Sequence, residues 1–270
     1  MNRAAAAPVL VLLLAPAIAA HEASYLVRGA AVPVDSATEG HVQAVTAIGD
    51  GWRRVRVSVP LSPVGSRGTW AAHRAAVRST LVPDGFGLPP ALAGRLRPDA
   101  EAFDVATEIL AWVAATVVLD PDDIEDQDAT TVLARRRGRC SGLANAAAAL
   151  LITAGFEART VSGLLIDGTV GVPHRWVECR LPGVGWVGSD PTLGLWLLTP
   201  RHVVFAEPVT EGPEIVVERV ELFDVVQLPQ RGGVPWRPNA GAELICRLVD
   251  GGGPAMAVLR GPAGETRRAL

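Results

Sequence analysis

Apolar and polar positions alternate along this chain with two different periods, and the change from one to the other divides it. RRVRVSVPL, residues 53–61, puts Val55, Val57 and Val59 on one face and Arg54, Arg56 and Ser58 on the other, the period of two shown by a half-buried strand. HVQAVTAI precedes it across Gly49-Asp50-Gly51, so a β hairpin is predicted here. Behind Asp99, which has a capping side chain, Phe103, Ala106, Leu110, Val113 and Val117 recur at helical spacing. A second helix is predicted to begin at or near Cys140, with the stripe Leu143, Ala147, Leu150, Leu151 and Ala154 and with Gly155 placed to end it. After Phe156 the period returns to two in ARTVSGLLI, HRWVECRL and WVGSD. It continues near the end in VVERVELFDVV and the hairpin-like pair AELICRLV and MAVLRGP. Residues 60–99, rich in Pro and Gly, are irregular apart from a short helix predicted around Trp70–Arg78. Helices grouped centrally, with strands following in runs, predict an α+β class.

The first twenty residues fit neither period. Arg3 is followed by an apolar run of roughly a dozen residues, broken by Pro8 and Pro16 and ending in Ala17-Ile18-Ala19, a small-x-small signal. It is shorter than the roughly 20 apolar residues of a membrane span. Residues 1–20 therefore read as a cleavable signal peptide, and a secreted or periplasmic protein with no membrane anchor is expected. The remainder divides into a β-rich region over 21–98, a core over 99–215 and C-terminal strands over 216–270. With 270 residues, about half of them apolar, the chain can bury a sizeable core without staples. The net charge of -3 argues against a nucleic-acid partner, and all the positive charge is arginine. The three cysteines, Cys140, Cys179 and Cys246, are an odd number. Cys179 and Cys246 lie in strand-like contexts, either paired or as two unpaired core thiols.

Cys140 is predicted in the first turn of its helix, where unpaired N–H groups and the positive end of the dipole favour thiolate, with Arg135, Arg136, Arg137 and Arg139 just upstream. A cysteine nucleophile needs an imidazole to take its proton and a group to orient that imidazole. His174 opens the strand HRWVE, with Trp176 and Glu178 on its own face. Asp190 ends the next strand, held extended by Pro191. If the intervening loop has three residues, Leu181 closes against Gly185, and His174 and Asp190 become diagonal neighbours on one face. His21 falls at the expected mature terminus, and His41, His73 and His202 have no polar companions at suggestive spacing. Each of the three residues alone also reads as structural; the set points to chemistry. No H-E-x-x-H, paired Cys-x-x-Cys or Gly-rich phosphate loop follows, so neither metal nor cofactor is expected.

GRCSGLANAAAALLITAGFEARTVSGLL followed by HRWVECRLPGVGWVGSDPT resembles the core of the transglutaminase-like superfamily: G-x-C at a helix start, A-R-x-V-S-G, H-x-W-x-E and G-W-x-x-x-D-P-T, in order over residues 138–192. The helix after Asp99 and the approach Asp128–Leu133 are also similar to that family's lead-in. The resemblance implies a papain-like α+β fold, with central helices packed on an antiparallel sheet. It also implies Cys140 as nucleophile, His174 as base and Asp190 as orienting carboxylate.

The expected activity is thiol-dependent acyl transfer from a peptide or glutamine carboxamide, with hydrolysis favoured over amine crosslinking because no sign of a water-excluding groove appears. The backbone N–H of Cys140 is the expected oxyanion donor. Trp176 and Trp186 flank the expected site as candidate substrate contacts. Arg136 and Arg137 are expected to draw an acidic acyl donor and to hold the thiolate. A non-catalytic scaffold that keeps the same fold is the alternative.

Overall fold

The computed structural model describes residues 20–60, 68–74, 80–167, 169–192, 198–210 and 212–221, together with the backbone of strand segments between 226 and 269. The expected signal peptide lies outside these residues except for Ala20, which begins a strand. Strands β1 (Ala20–Arg28), β2 (Ser36–Thr38), β3 (His41–Gly49) and β4 (Trp52–Pro60) belong to one antiparallel sheet. The turn between β3 and β4 needs three successive left-handed residues, Gly49, Asp50 and Gly51, with φ of 101°, 50° and 75°. Glycine at two of these positions is what makes the tight turn accessible. Val55 and Val57 are buried as their alternation predicts, while Arg56 between them is exposed.

The helical layer starts with the short helices α1 (Trp70–His73) and α2 (Pro90–Ala93). The helix expected around Trp70–Arg78 is thus one turn, and residues 75–79 lie outside the described residues. The long helix α3 (Ala102–Thr116) has Glu101, not Asp99, at its N-cap position, with no side-chain cap bond. Glu101 pairs with Thr69 in an isolated β-bridge, and Ala102 N–H donates to Gly68, so the chain stays extended two residues longer. Asp99 turns instead to Arg97, 2.8 Å away. There follow β5 (Val118–Leu119), α4 (Ala129–Arg135), β6 (Arg137–Gly138) and α5 (Cys140–Thr153), with β5 and β6 paired in parallel. Trp70 Nε1 donates to the carbonyl of Ala154 at the C-terminal end of α5 (2.7 Å).

A second antiparallel sheet contains β7 (Ala158–Asp167), β8 (Val170–Leu181), β9 (Gly185–Ser189) and β10 (His202–Val204), in the order β10-β7-β8-β9. One face of this sheet meets the helices: Val177, Cys179, Leu181 and Val187 pack with Phe103, Leu110, Val113, Leu143, Leu150 and Leu151. Cys179 is a free thiol at the centre of that layer. The alanine-rich α5 is buried along most of its length, which its small side chains allow. Removing a large member of this core, as in Leu150→Ala, costs about 2–5 kcal/mol.

Leu164, Ile166, Val203 and Phe205 pack instead against Tyr25, Val27, Val55 and Val57 of the N-terminal sheet. That sheet is completed by β11 (Glu214–Glu221), which pairs with the free edge of β1 and spans the boundary expected at residue 215. The layers therefore run sheet, sheet, helices, an α+β arrangement. Beyond these, β12 (Val226–Gln227), β13 (Gln230–Arg231), β14 (Val234–Pro235), β15 (Glu243–Arg247), β16 (Met256–Gly261) and β17 (Gly264–Ala269) form antiparallel ladders. β15 and β16 are the hairpin read from AELICRLV and MAVLRGP. Among the described residues no helix is long and apolar enough to cross a membrane.

Candidate active site

Cys140 is the first helical residue of α5, so its N–H and those of the next residues have no partner within the helix. The approach is built by Gln127. Its Oε1 accepts from the backbone N–H of Arg139 at 2.7 Å, and its Nε2 donates to the Glu125 carbonyl at 2.8 Å. Its own carbonyl accepts from Asn145 Nδ2 at 2.8 Å, which ties it to the following turn of α5. The glycines on either side of Cys140 make room for this side chain: a Cβ on Gly142 would lie 2.4 Å from Gln127 Oε1, and one on Gly138 3.1 Å from it. Asp128 caps α4 through Thr130 and Thr131 N–H, setting the direction of the chain that returns to Cys140.

The loop after β8 has three residues, and Leu181 pairs with Gly185 and Val177 with Ser189. With that register His174 and Asp190 meet, Nε2 to Oδ2 at 2.8 Å. A carboxylate only accepts, so Nε2 carries the proton and Nδ1 is left for the sulfur. Cys140, His174 and Arg175 line the same groove, and the thiol interacts with the His174 imidazole and the Arg175 backbone N–H. Burial pushes this thiol up, but the His174 hydrogen bond and charge, with the Arg175 N–H, bring it below its ordinary range. Burial alone would make His174 less basic; the Asp190 carboxylate and the Cys140 contact override it and raise it well above the ordinary histidine range. The arrangement favours a thiolate–imidazolium pair.

Asp190 is fully buried, and every described contact it makes is with a donor. Thr192 N–H and Oγ1 donate to Oδ1 at 2.9 and 2.6 Å, and a second imidazole, His202 Nε2, meets Oδ2 at 3.1 Å. Burial would raise its carboxyl, and the two imidazoles together hold it far below the usual carboxylate range. His202, which has no polar companion at suggestive spacing in the sequence, is brought to the cluster by β10, which pairs with β7. Sequence spacing gave no sign of it, because it approaches from a neighbouring strand. His174, Asp190 and His202 are also the described residues whose ligand atoms converge, within 4.8 Å. Thr199 N–H donates to His202 Nδ1 at 2.9 Å, which places the remaining ring proton on Nε2, pointing at Asp190. With both ring protons directed at one carboxylate oxygen, the donor set fits a hydrogen-bonded cluster better than a metal site.

A groove of about 730 Å³ opens beside Cys140 and His174, lined by Leu119, Leu165, Val172 and Val209 and by Arg139, Asn145 and Arg175 among others. Four expected contacts are displaced from it. Trp176 does lie on the face of His174, with ring centroids 6.3 Å apart, but it is 0% exposed, packed with Leu198 and Val204, and supports the site from beneath. Gly163 makes room for it: a Cβ there would come within 2.6 Å of the indole and 2.1 Å of the Val203 carbonyl. Trp186 lies under the guanidinium of Arg159, 4.3 Å from its ring centre, away from the groove. Arg136 is the left-handed cap residue of α4, exposed to solvent, and Arg137 pairs with Asp120 at 3.4 Å. Arg135 is likewise paired, to Asp123 at 2.8 Å. The acidic loop thus neutralises much of the basic run, and the groups that lower the Cys140 thiol are His174 and the Arg175 backbone N–H, not these arginines.

Residues 90–191 match the family described as the transglutaminase-like superfamily. The middle of this chain is thus similar to a transglutaminase-like core. The matched segment contains Cys140, His174 and Asp190, and it stops before His202 and before the strand that carries it. Matches among solved structures include a candidate cysteine protease from Cytophaga hutchinsonii, 12% identical, with a TM-score of 0.42, covering 80% of this chain and 94% of that one. The periplasmic domain of TgpA from Pseudomonas aeruginosa is 19% identical, with a TM-score of 0.38, covering 64% of this chain and 70% of that one. No curated protein matches the chain.

Proposed function

We propose that this transglutaminase-like protein is an exported thiol enzyme acting on a peptide or glutamine carboxamide. The observation that carries the reading is Cys140 and His174 side by side in one groove, with the imidazole held through Nε2 by Asp190. The Cys140 sulfur attacks the carbonyl carbon, and the carbonyl electrons move to oxygen, where the first-turn N–H of Cys140 is placed to donate. Collapse of this intermediate expels the amine or ammonia, which takes the proton of His174, and leaves a thioester. Water then adds to the thioester, giving its proton to the neutral imidazole, and the acid departs as thiolate is restored.

Hydrolysis is favoured over amine transfer because the groove is open to solvent on the side of Cys140, which is itself partly exposed. Arg139 and Arg175 line the groove, and no salt bridge to either is formed among the described residues, which supports an acyl donor bearing a carboxylate near the reacting amide. Incubation of the mature protein with a glutamine peptide and a labelled primary amine tests the reading: free acid and ammonia are expected, with little amine incorporation. A parent protein whose Cys140 alkylates at pH 6 no faster than free cysteine would favour the scaffold alternative.

A further inference from the structure

We propose that His202 is a positioning residue of this site, holding the Asp190 carboxylate in the orientation that meets His174, and that the N-terminal sheet keeps His202 in place. The proposal rests on the reading of Cys140 as a nucleophile. Asp190 Oδ1 is fixed by two donors from Thr192, and Oδ2 is shared between His174 and His202 at 2.8 and 3.1 Å. Without His202, Oδ2 keeps one described donor, a ring that changes its charge and its hydrogen bonds in each turnover. With His202, the carboxylate cannot swing after that ring without abandoning a second bond.

The imidazole of His202 has its own constraints. Thr199 N–H donates to Nδ1 at 2.9 Å, which selects the tautomer with Nε2–H toward Asp190. The ring is fully buried, with the indole of Trp176 edge-on at 5.3 Å and 85°. The titratable and charged groups around it are His174, Asp190, His41 and the neighbouring Arg201, whose guanidinium reaches toward Asp167 at 3.9 Å. Burial and the proximity of His202 lower His41 to about 4, so His41 is neutral near pH 7.

The backbone around His202 is gripped by the N-terminal sheet. His41 Nε2 donates to the His202 carbonyl at 3.0 Å, and Tyr25 Oη donates to Pro200 at 3.2 Å. The amide of Gln43 mimics a strand neighbour: Val204 N–H donates to its Oε1 at 2.8 Å, and its Nε2 donates to the Val204 carbonyl at 2.9 Å. A position needing only volume against Trp176 and Leu198 is filled as well by leucine, whereas this one holds a polar ring with a selected tautomer aimed at the carboxylate.

The test compares His202→Phe, His202→Gln and His202→Asn in the full mature chain, reading the pH profile of Cys140 alkylation by iodoacetamide and kcat and KM for a glutamine peptide. His202→Phe removes the donor, and the acid limb of alkylation is expected to move up by about half a pH unit or more, with kcat down at least about tenfold and KM unchanged. His202→Gln, whose Nε2–H reaches toward the same oxygen, is expected to restore the parent profile and most of kcat. His202→Asn keeps a polar group for Thr199 but stops short of Asp190, so it is expected to behave as His202→Phe and replaces it if that variant does not fold. A folded variant lacking the donor with an unshifted limb and kcat within twofold of the parent overturns the proposal, as does a His202→Gln shift as large as that of His202→Asn. Alkylation needs no substrate, so a parent without a fast-reacting thiol at pH 6 overturns the nucleophile reading itself, separately from the role of His202.

Discussion

The backbone N–H of Arg139 donates to Oε1 of Gln127 over 2.7 Å, a bond across twelve residues that fixes the chain one position before Cys140. Because the same side chain fills the space left by Gly138 and Gly142, the start of the Cys140 helix is set by packing as well as by hydrogen bonding.

Gln127→Ala leaves Arg139 N–H and the Glu125 carbonyl without this partner and opens a void beside two glycines. The expected loss is about 1–3 kcal/mol of stability in urea unfolding. Slower alkylation of Cys140 at fixed pH should accompany it. Gly142→Ala drives a methyl toward Gln127 and is expected to give the same phenotype; unchanged stability in both would show that Gln127 does not set this helix start.

Asp190→Asn keeps the shape of the side chain but turns an acceptor of two imidazole protons into a group with a competing donor. The expected drop in kcat is about 10³–10⁴-fold, the scale seen when a triad carboxylate is lost, with the protein still folded. The free thiol of the variant should alkylate at pH 6 at the rate of an ordinary cysteine. Rapid alkylation there would mean that the imidazolium does not depend on Asp190.

Stability should depend on pH through the same pair. Asp190 is depressed below its ordinary value of 3.8, so its contribution is complete above that pH and is lost as pH falls toward its folded value. His174 is raised above 6.5, so its contribution is complete below that pH and is lost as pH rises toward its folded value. Unfolding free energies measured from pH 3 to 10 should therefore carry an acid-side fall that Asp190→Asn lacks and an alkaline-side fall that His174→Gln lacks. Parallel curves for parent and variants would contradict this.

The arginines divide by partner. Replacing Arg139 and Arg175 together with Gln is expected to raise KM for a donor peptide with a neighbouring carboxylate about tenfold relative to its neutral amide, since each charged hydrogen bond is worth about 1.5–3 kcal/mol before solvent screening. Arg136→Gln with Arg137→Gln should leave that preference unchanged, because Arg137 is already paired to Asp120 and neither residue lines the groove. The reverse pattern would return the specificity to the upstream run.

The contrast between Asp190 and His202 shows what sequence makes legible. Asp190 was within reach because a three-residue loop converts chain distance into a cross-strand position, and the turn residues Pro182 and Gly183 signal that loop. His202 reaches the same oxygen through a strand that pairs on the far side of β7, and its register is fixed by contacts with residues 25–43, which no local period reveals. Trp176 makes the same point. Alternation placed it correctly beside His174, but burial of that face depends on Leu198 and Val204, brought in from elsewhere. The arginine run was legible as charge, whereas its neutralisation requires α4 to turn back so that Arg135 meets Asp123.

Tyr25, His41 and Gln43 all end on carbonyls or amides between Pro200 and Val204, and β1 is clasped between β4 and β11. The segment bearing Cys140 is therefore a poor cassette for exchange between proteins. Recombination that transplanted residues 90–191 alone would deliver Cys140, His174 and Asp190 without His202, so a graft that keeps the whole cluster must carry the flanking strands as well.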